Sequence, residues 1–162
     1  MIPETRRRKL ESYSNAYSEL LEGLKQFPRE MWRFRSAPGE FTIHEIIVHI
    51  ADSEANSYVR CRRFIAEPGS RILGYDENKW ARDLHYHEQN PDDALELFKG
   101  LRRSSYLLVK SLPESDWGNT VTHSEAGLMT MDDWLDTYAR HIPEHLAQMR
   151  AVYETWLQQR LA

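Results

Sequence analysis

The stretch of this sequence best suited to chemistry is His141-Ile-Pro-Glu-His145. Residues four apart on an α-helix lie one turn apart on the same face. At 1.5 Å of rise per residue the two imidazoles therefore stand about 6 Å apart along the axis. Neutral imidazoles at that spacing can hold one cation between them, as the paired histidines of zinc-protease helices do. On a helical wheel with Trp134 at the origin, Tyr138, Met149, Val152 and Trp156 fall within about 60°, and both histidines share that sector. The pair thus points into the predicted core. One inward histidine is ordinarily a hydrogen-bonded core residue. Two of them without an ion would each need a separate polar partner in apolar surroundings. Pro143, between them, cannot donate to the carbonyl of Ala139, so the helix is expected to kink or loosen there.

A shell of three protein ligands needs one more donor. His44, His49, His85, His87 and His123 are the candidates. On the helix that carries them, His44 and His49 flank the apolar stripe on opposite sides, so periodicity alone does not choose. His49 has the more apolar neighbours, Ile46, Val48 and Ile50, whereas His44 sits in a first turn expected to be exposed. Ligand histidines commonly donate their second N–H to a carboxylate or carbonyl. Glu45 and Glu144 are candidates for that part, although Glu144 reads better as solvated helix surface. Arg6-Arg-Arg-Lys9 reads as a solvated first turn or a subunit contact, and Arg60, Arg62 and Arg63 as the wet side of a helix. Cys61, on an apolar stripe, reads as a buried inert thiol. Trp80 and Trp117 are expected to cover the bundle ends. No Ser-His-Asp order, glycine-rich phosphate loop or paired Glu-x-x-His motif is present.

Four long segments with helical periodicity must position these residues: about Pro3 to Phe27, Thr42 to Ala66, Asn90 to Leu112 and Thr130 to Gln159. Their starts carry capping signals. Thr42-Ile-His-Glu45 is a capping box, and Thr130-Met-Asp-Asp133 is the same device with aspartate. Asn90 precedes Pro91, a residue suited to a first helical turn. The joins between the segments are too long for a simple up-and-down bundle, so one or more crossovers are expected. Asn119–His123 has the β-branched content of one short strand. The expected fold class is all-α, a four-helix bundle with long inter-helix connections, and residues 1–162 are expected to form a single domain.

The chain has 162 residues, 41% hydrophobic and 28% charged, with a formal net charge of −4. That balance argues against nucleic acid as a general partner. No run approaches the ~18 apolar residues of a spanning helix, and no signal-peptide pattern follows Met1, so no membrane partner is expected and the cytoplasm is the expected location. A single cysteine excludes an intramolecular disulfide and a multi-cysteine zinc site.

Phe41-Thr-Ile-His-Glu-Ile-Ile-Val-His49-Ile-Ala-Asp-Ser-Glu54, taken with His141-Ile-Pro-Glu-His145, resembles the DinB superfamily, in its branch of YfiT-like metal hydrolases and bacillithiol S-transferases. Gly74-Tyr-Asp-Glu-Asn-Lys-Trp80 and Trp134-Leu-Asp-Thr-Tyr138 extend the resemblance, while Phe41 stands where the family often has tryptophan. The resemblance implies a DinB-like four-helix bundle and one divalent metal ion (zinc, nickel, iron or manganese) on His49, His141 and His145. Three protein ligands leave coordination positions open, the arrangement of catalytic rather than structural sites. The resemblance further implies a metal-dependent enzyme, a thiol S-transferase or hydrolase, whose small-molecule substrate includes a low-molecular-weight thiol in the transferase case, and a homodimer. The alternative it allows is a non-catalytic metal-binding stress-response dimer.

Overall fold

The computed structural model describes residues 1–161. In chain order its helices are α1 (Pro3–Leu24), α2 (Ile43–Ala66), the short α3 (Glu77–Asp83), α4 (Pro91–Val109) and α5 (Met131–Leu161). The four long ones match the four periodic segments, and their starts are built as their sequences dictate. The Thr42 hydroxyl accepts from the Glu45 N–H at 3.1 Å while the Glu45 carboxylate accepts from the Thr42 N–H at 2.9 Å. Thr130 and Asp133 make the same reciprocal pair, at 3.1 and 2.8 Å. Asn90 Oδ1 accepts from the Asp92 N–H at 3.0 Å. Each cap satisfies N–H groups that the first turn leaves without a partner.

The helices meet in an order that differs from their order in the chain. Both α1 and α2 pack against α4 and against α5. The pairs α1/α2 and α4/α5 stand across the bundle from one another, so each of those joins must cross it. The join before α5 does so through a small sheet. In it β1 (Arg71–Ile72) runs parallel to β2 (Thr120–His123), which pairs antiparallel with β3 (Gly127–Thr130). Gly127, at φ +77°, supplies the left-handed residue that the β2–β3 turn needs. The expected strand at Asn119–His123 is present, one residue shorter, but it has two partners that were not expected. The two-residue β1 is too short to show an alternating pattern, and seven-residue α3 is too short to show a helical one. Among the described residues no helix is long and apolar enough to cross a membrane.

The core lies in two apolar clusters. One gathers Leu20, Met31, Ile46, Ile50, Phe98, Ile142 and Met149. The other gathers Tyr13, Phe64, Trp117, Val121, Trp134 and Leu135. Between them lies a buried polar layer with a group from every long helix. Arg102 of α4 reaches Glu54 of α2 at 2.7 Å, and both side chains are at most 2% exposed. Arg102 also donates to the backbone carbonyls of Tyr13 in α1 and Tyr138 in α5, at 3.3 and 3.2 Å. Tyr13 closes the set, donating its hydroxyl to Glu54 at 2.9 Å while its ring lies 3.9 Å under the guanidinium. The helical periodicity of α4 puts Ala94, Leu95, Phe98, Ser105 and Val109 on one face, and all of them are buried, whereas Leu108 is exposed. The residue that the apolar periodicity leaves out of this buried face is Arg102.

Arg6 is another correction. It is 5% exposed, bonded to Asp132 at 2.7 Å and Glu114 at 2.6 Å, and stacked on Trp117. Pro143 leaves α5 continuous. The carbonyl its ring deprives of a donor, that of Ala139, accepts the Ser12 hydroxyl of α1 at 3.3 Å.

Breaking a buried ion pair by removing one member strands the other charge in the interior. Arg102→Ala is expected to cost about 3–5 kcal/mol in urea unfolding. The paired change Glu54→Leu with Arg102→Met, which removes both charges, is expected to recover most of that loss.

Candidate metal centre

The adjacency of α2 and α5 decides where the histidines go. His49 lies in the second turn of α2 and is 3% exposed. His141 and His145 lie on successive turns of α5, partly buried. One donor nitrogen from each ring can be chosen so that all three lie within 4.8 Å of one another. The two α5 rings stand nearly perpendicular, at 84°, with Nε2 atoms 3.1 Å apart. The His49 ring centroid is 5.0 Å from that of His145 and 5.8 Å from that of His141. Phe41 and Tyr138 close the cluster edge-on, at 5.9 Å from His49 and His141 respectively.

Burial keeps these rings neutral. Removal from water, reinforced by His145 close by, pushes the pKa of His49 down to about 3. His141 lies well below the ordinary imidazole value, through burial first and then the neighbouring His145 and His49. Burial also lowers His145, against the opposing pull of Gln148, Glu77 and Glu144. Neutral imidazole is the metal-binding form, so protons do not compete for these nitrogens at neutral pH.

The cluster is also short of hydrogen-bond partners. Nδ1 of His49 and Nδ1 of His141 are buried with no partner. Buried polar atoms are normally satisfied. Three converging neutral imidazoles, two of them with an orphaned nitrogen, form a donor set suited to a divalent ion.

Two further residues border the cluster. Gln148, one turn beyond His145, places Oε1 2.9 Å from His145 Nδ1 and so orients that ring. Glu77, in the first turn of α3, places a carboxylate oxygen 3.6 Å from His49 Nε2 and keeps a largely exposed side chain. Spacing alone could have flagged Gln148, because residues three apart on a helix are neighbours. Glu77 comes from a join, and its arrival depends on where α3 folds back onto α2. Asp76 caps α3 by accepting from the Lys79 N–H at 2.9 Å. Tyr75, tilted at 39° against Trp80 with ring centroids 4.4 Å apart, flanks the same turn.

The other candidates lie elsewhere. His44, expected in an exposed turn, is 4% exposed, and its Nε2 meets the Gln89 carbonyl at 2.9 Å. His85 and His87 are exposed. His123 lies in β2, where Nδ1 accepts from the Glu125 and Ala126 N–H groups at 3.1 and 3.2 Å. Glu45 is engaged with Thr42 and with Arg35 at 2.7 Å rather than with His49. Glu144 pairs with Arg140 on the surface. Cys61 is fully buried, and its thiol is pushed up to about 12.

The sequence profile of the DinB superfamily matches residues 12–149. The chain belongs to the DinB superfamily. A relative in Oceanobacillus iheyensis named "Putative metal-dependent hydrolase" is 31% identical over 114 residues, 70% of this chain and 66% of that protein, just under two thirds of its length. One of the same name in Bacillus mycoides is 27% identical over 137 residues, covering 85% of this chain and 79% of that protein. Among solved structures, YfiT from Bacillus subtilis, described as a probable metal-dependent hydrolase with an unusual four-helix bundle topology, superposes with a TM-score of 0.85 at 20% identity. That match covers 94% of this chain and 87% of YfiT. A mycothiol-dependent maleylpyruvate isomerase matches with a TM-score of 0.72 at 13% identity, over 91% of this chain and 61% of the isomerase. The all-α bundle with long joins is thus the fold of this DinB-superfamily chain, and the crossed order of its helices belongs to that architecture.

The depressed histidines tie stability to pH. In the unfolded chain they take up protons near pH 6.5, whereas the folded chain holds His49 neutral down to about pH 3. Between those values the unfolded state binds more protons, so stability rises with pH. The chelator-treated protein is expected to melt at progressively lower temperature as pH falls from 7 to 5. His49→Gln is expected to flatten that slope in calorimetric scans.

Proposed function

We propose that this chain is a divalent-metal-dependent enzyme acting on a small molecule, with His49, His141 and His145 as the protein ligands of one ion. The single observation that carries this reading is the convergence of three neutral imidazoles, one buried and two partly buried, from two different helices within 4.8 Å. When bound, such an ion supplies Lewis acidity that makes a water or a thiol nucleophilic at neutral pH. Zinc, nickel, iron and manganese are all compatible with imidazole donors.

The chain's own residues divide the remaining work. Gln148 fixes the ring of His145 through its Nδ1. Phe41 and Tyr138 keep the inner sides of the cluster apolar. Glu77 stands on the solvent side, where its carboxylate can accept a hydrogen bond from a water or thiol entering beside His49. The names of the relatives support hydrolysis. The shared fold with a mycothiol-dependent enzyme supports a low-molecular-weight thiol as the alternative nucleophile.

Protein purified without chelators is expected to carry one equivalent of a transition metal by plasma mass spectrometry, and His141→Ala to carry less than a tenth of that. Equal metal content in the two proteins would overturn the ligand assignment. With the metal-loaded protein, turnover of an ester or of a thiol plus an electrophile is expected to vanish on chelation. Silence across such a screen, with a lower melting temperature after chelation, would instead favour a structural ion in a non-catalytic metal-binding protein.

A further inference from the structure

A chamber lies between α2, the small sheet and the start of α5. It has a volume of about 220 Å³ and apolar walls from Phe64, Ile72, Met129 and Trp134. Four polar side chains, Arg60, His123, Thr137 and Tyr138, line it as well, and of these only Arg60 carries a fixed charge. From these features we propose that the chamber is a binding site for the carboxylate of a compact, largely apolar acid, with Arg60 and His123 as its anchors. The proposal goes beyond the metal-centre reading and does not require it.

Arg60 is the first support. Its guanidinium donates to the Tyr138 hydroxyl at 3.2 Å and to the Leu73 carbonyl at 2.5 Å, so it is held in place by neutral groups. Among the described residues no carboxylate lies within salt-bridge distance of it. That sets it apart from Arg6, Arg35 and Arg102, each of which has a carboxylate partner. An arginine retains N–H groups in a planar fork that matches a carboxylate. Here two N–H bonds are used for positioning and the rest are available.

His123 is the second. Because its Nδ1 accepts from two backbone N–H groups, the ring proton of the neutral form belongs on Nε2. The β2–β3 turn thereby fixes the ring as an Nε2–H donor. The nearest acidic residue in that turn, Glu125, lays its carboxylate over Gly74, where an added Cβ would meet it at 2.5 Å, and is not among the lining residues.

Size and wall chemistry narrow the ligand. Sites for drug-sized molecules run to about 300–1,000 Å³. A chamber of 220 Å³ suits something smaller, such as an arylacetic or branched-chain acid. Apolar walls around one fixed cation, with the neutral donors beside it, favour a single anionic group on an apolar body. Tyr138 lines this chamber and also stands edge-on to His141 at 5.9 Å, so the two sites share a wall.

Phenylacetate and its neutral isostere phenylacetamide test the idea by isothermal titration calorimetry on the full chain. Phenylacetate is expected to bind with the amide at least tenfold weaker. Arg60→Gln is expected to weaken phenylacetate at least tenfold, Arg60→Lys less, and His123→Gln by several fold. Ligand addition is expected to shift the Trp134 indole and His123 ring signals in nitrogen-correlated NMR spectra. The same titration on His141→Ala is expected to give an affinity within about threefold of wild type, which separates this site from the metal reading. Equal binding of acid and amide, an unchanged affinity in Arg60→Gln, or no phenylacetate binding at millimolar concentration would overturn the proposal. If Arg60→Gln does not fold, the acid–amide comparison on the wild type and the His123→Gln affinity decide.

Discussion

A guanidinium and a carboxylate shut away from water set the register of this bundle. Arg102 and Glu54 are costly to bury separately, and each is tolerable because the other is there. The geometry that satisfies them also binds α1 and α5, whose Tyr13 and Tyr138 carbonyls take the remaining Arg102 contacts. Hydrophobic packing alone tolerates a helix slipping along its neighbour. A charge that must find one partner and two specific carbonyls does not. The histidines lie next to this layer: His49 sits about one turn before Glu54 on α2, and His141 three residues after Tyr138 on α5. Fixing Tyr138 and Glu54 against Arg102 therefore fixes the distance across which the three rings converge.

The electrostatics of the cluster follow from the same burial. An interior that lowers the imidazole pKa values also makes three rings unable to share protons among themselves without cost. Such a site carries no added proton at neutral pH and keeps its imidazole lone pairs free for a Lewis acid. The arginine beside it adds no net charge because Glu54 cancels it, so the cluster is left to be charged by whatever enters from the Glu77 side.

Much of this was legible from residue types and spacing. The four long helices follow from apolar periodicity and three N-terminal caps, and each cap is made by the atoms its motif names. The α5 pair points inward because positions 134, 138, 141, 145 and 149 share a face. His49 could not be separated from His44 by periodicity, since both flank the same stripe and both turn out buried. What distinguishes them is the neighbour each one faces, a tertiary property. Arg102 was hidden for a similar reason. One of two adjacent arginines in a leucine-rich helix reads as solvent-facing until the carboxylate that will meet it, far away in sequence, is known. The sheet and α3 were too short to leave a periodic trace.

The crossed arrangement of the helices bears on how the chain reaches this state. In an up-and-down bundle each new helix can fold back on the one just made. Here α1 and α2 are diagonal, as are α4 and α5, so the seams join partners separated by one or more intervening elements. Their loop-closure entropy must be overcome before packing rewards it, which places this bundle among slow-folding helical topologies. The ring of contacts, and with it the meeting of α2 with α5, closes after the other long helices already exist. The imidazole cluster accordingly rests on a contact between positions 49 and 141, and it exists only where that long-range seam is closed.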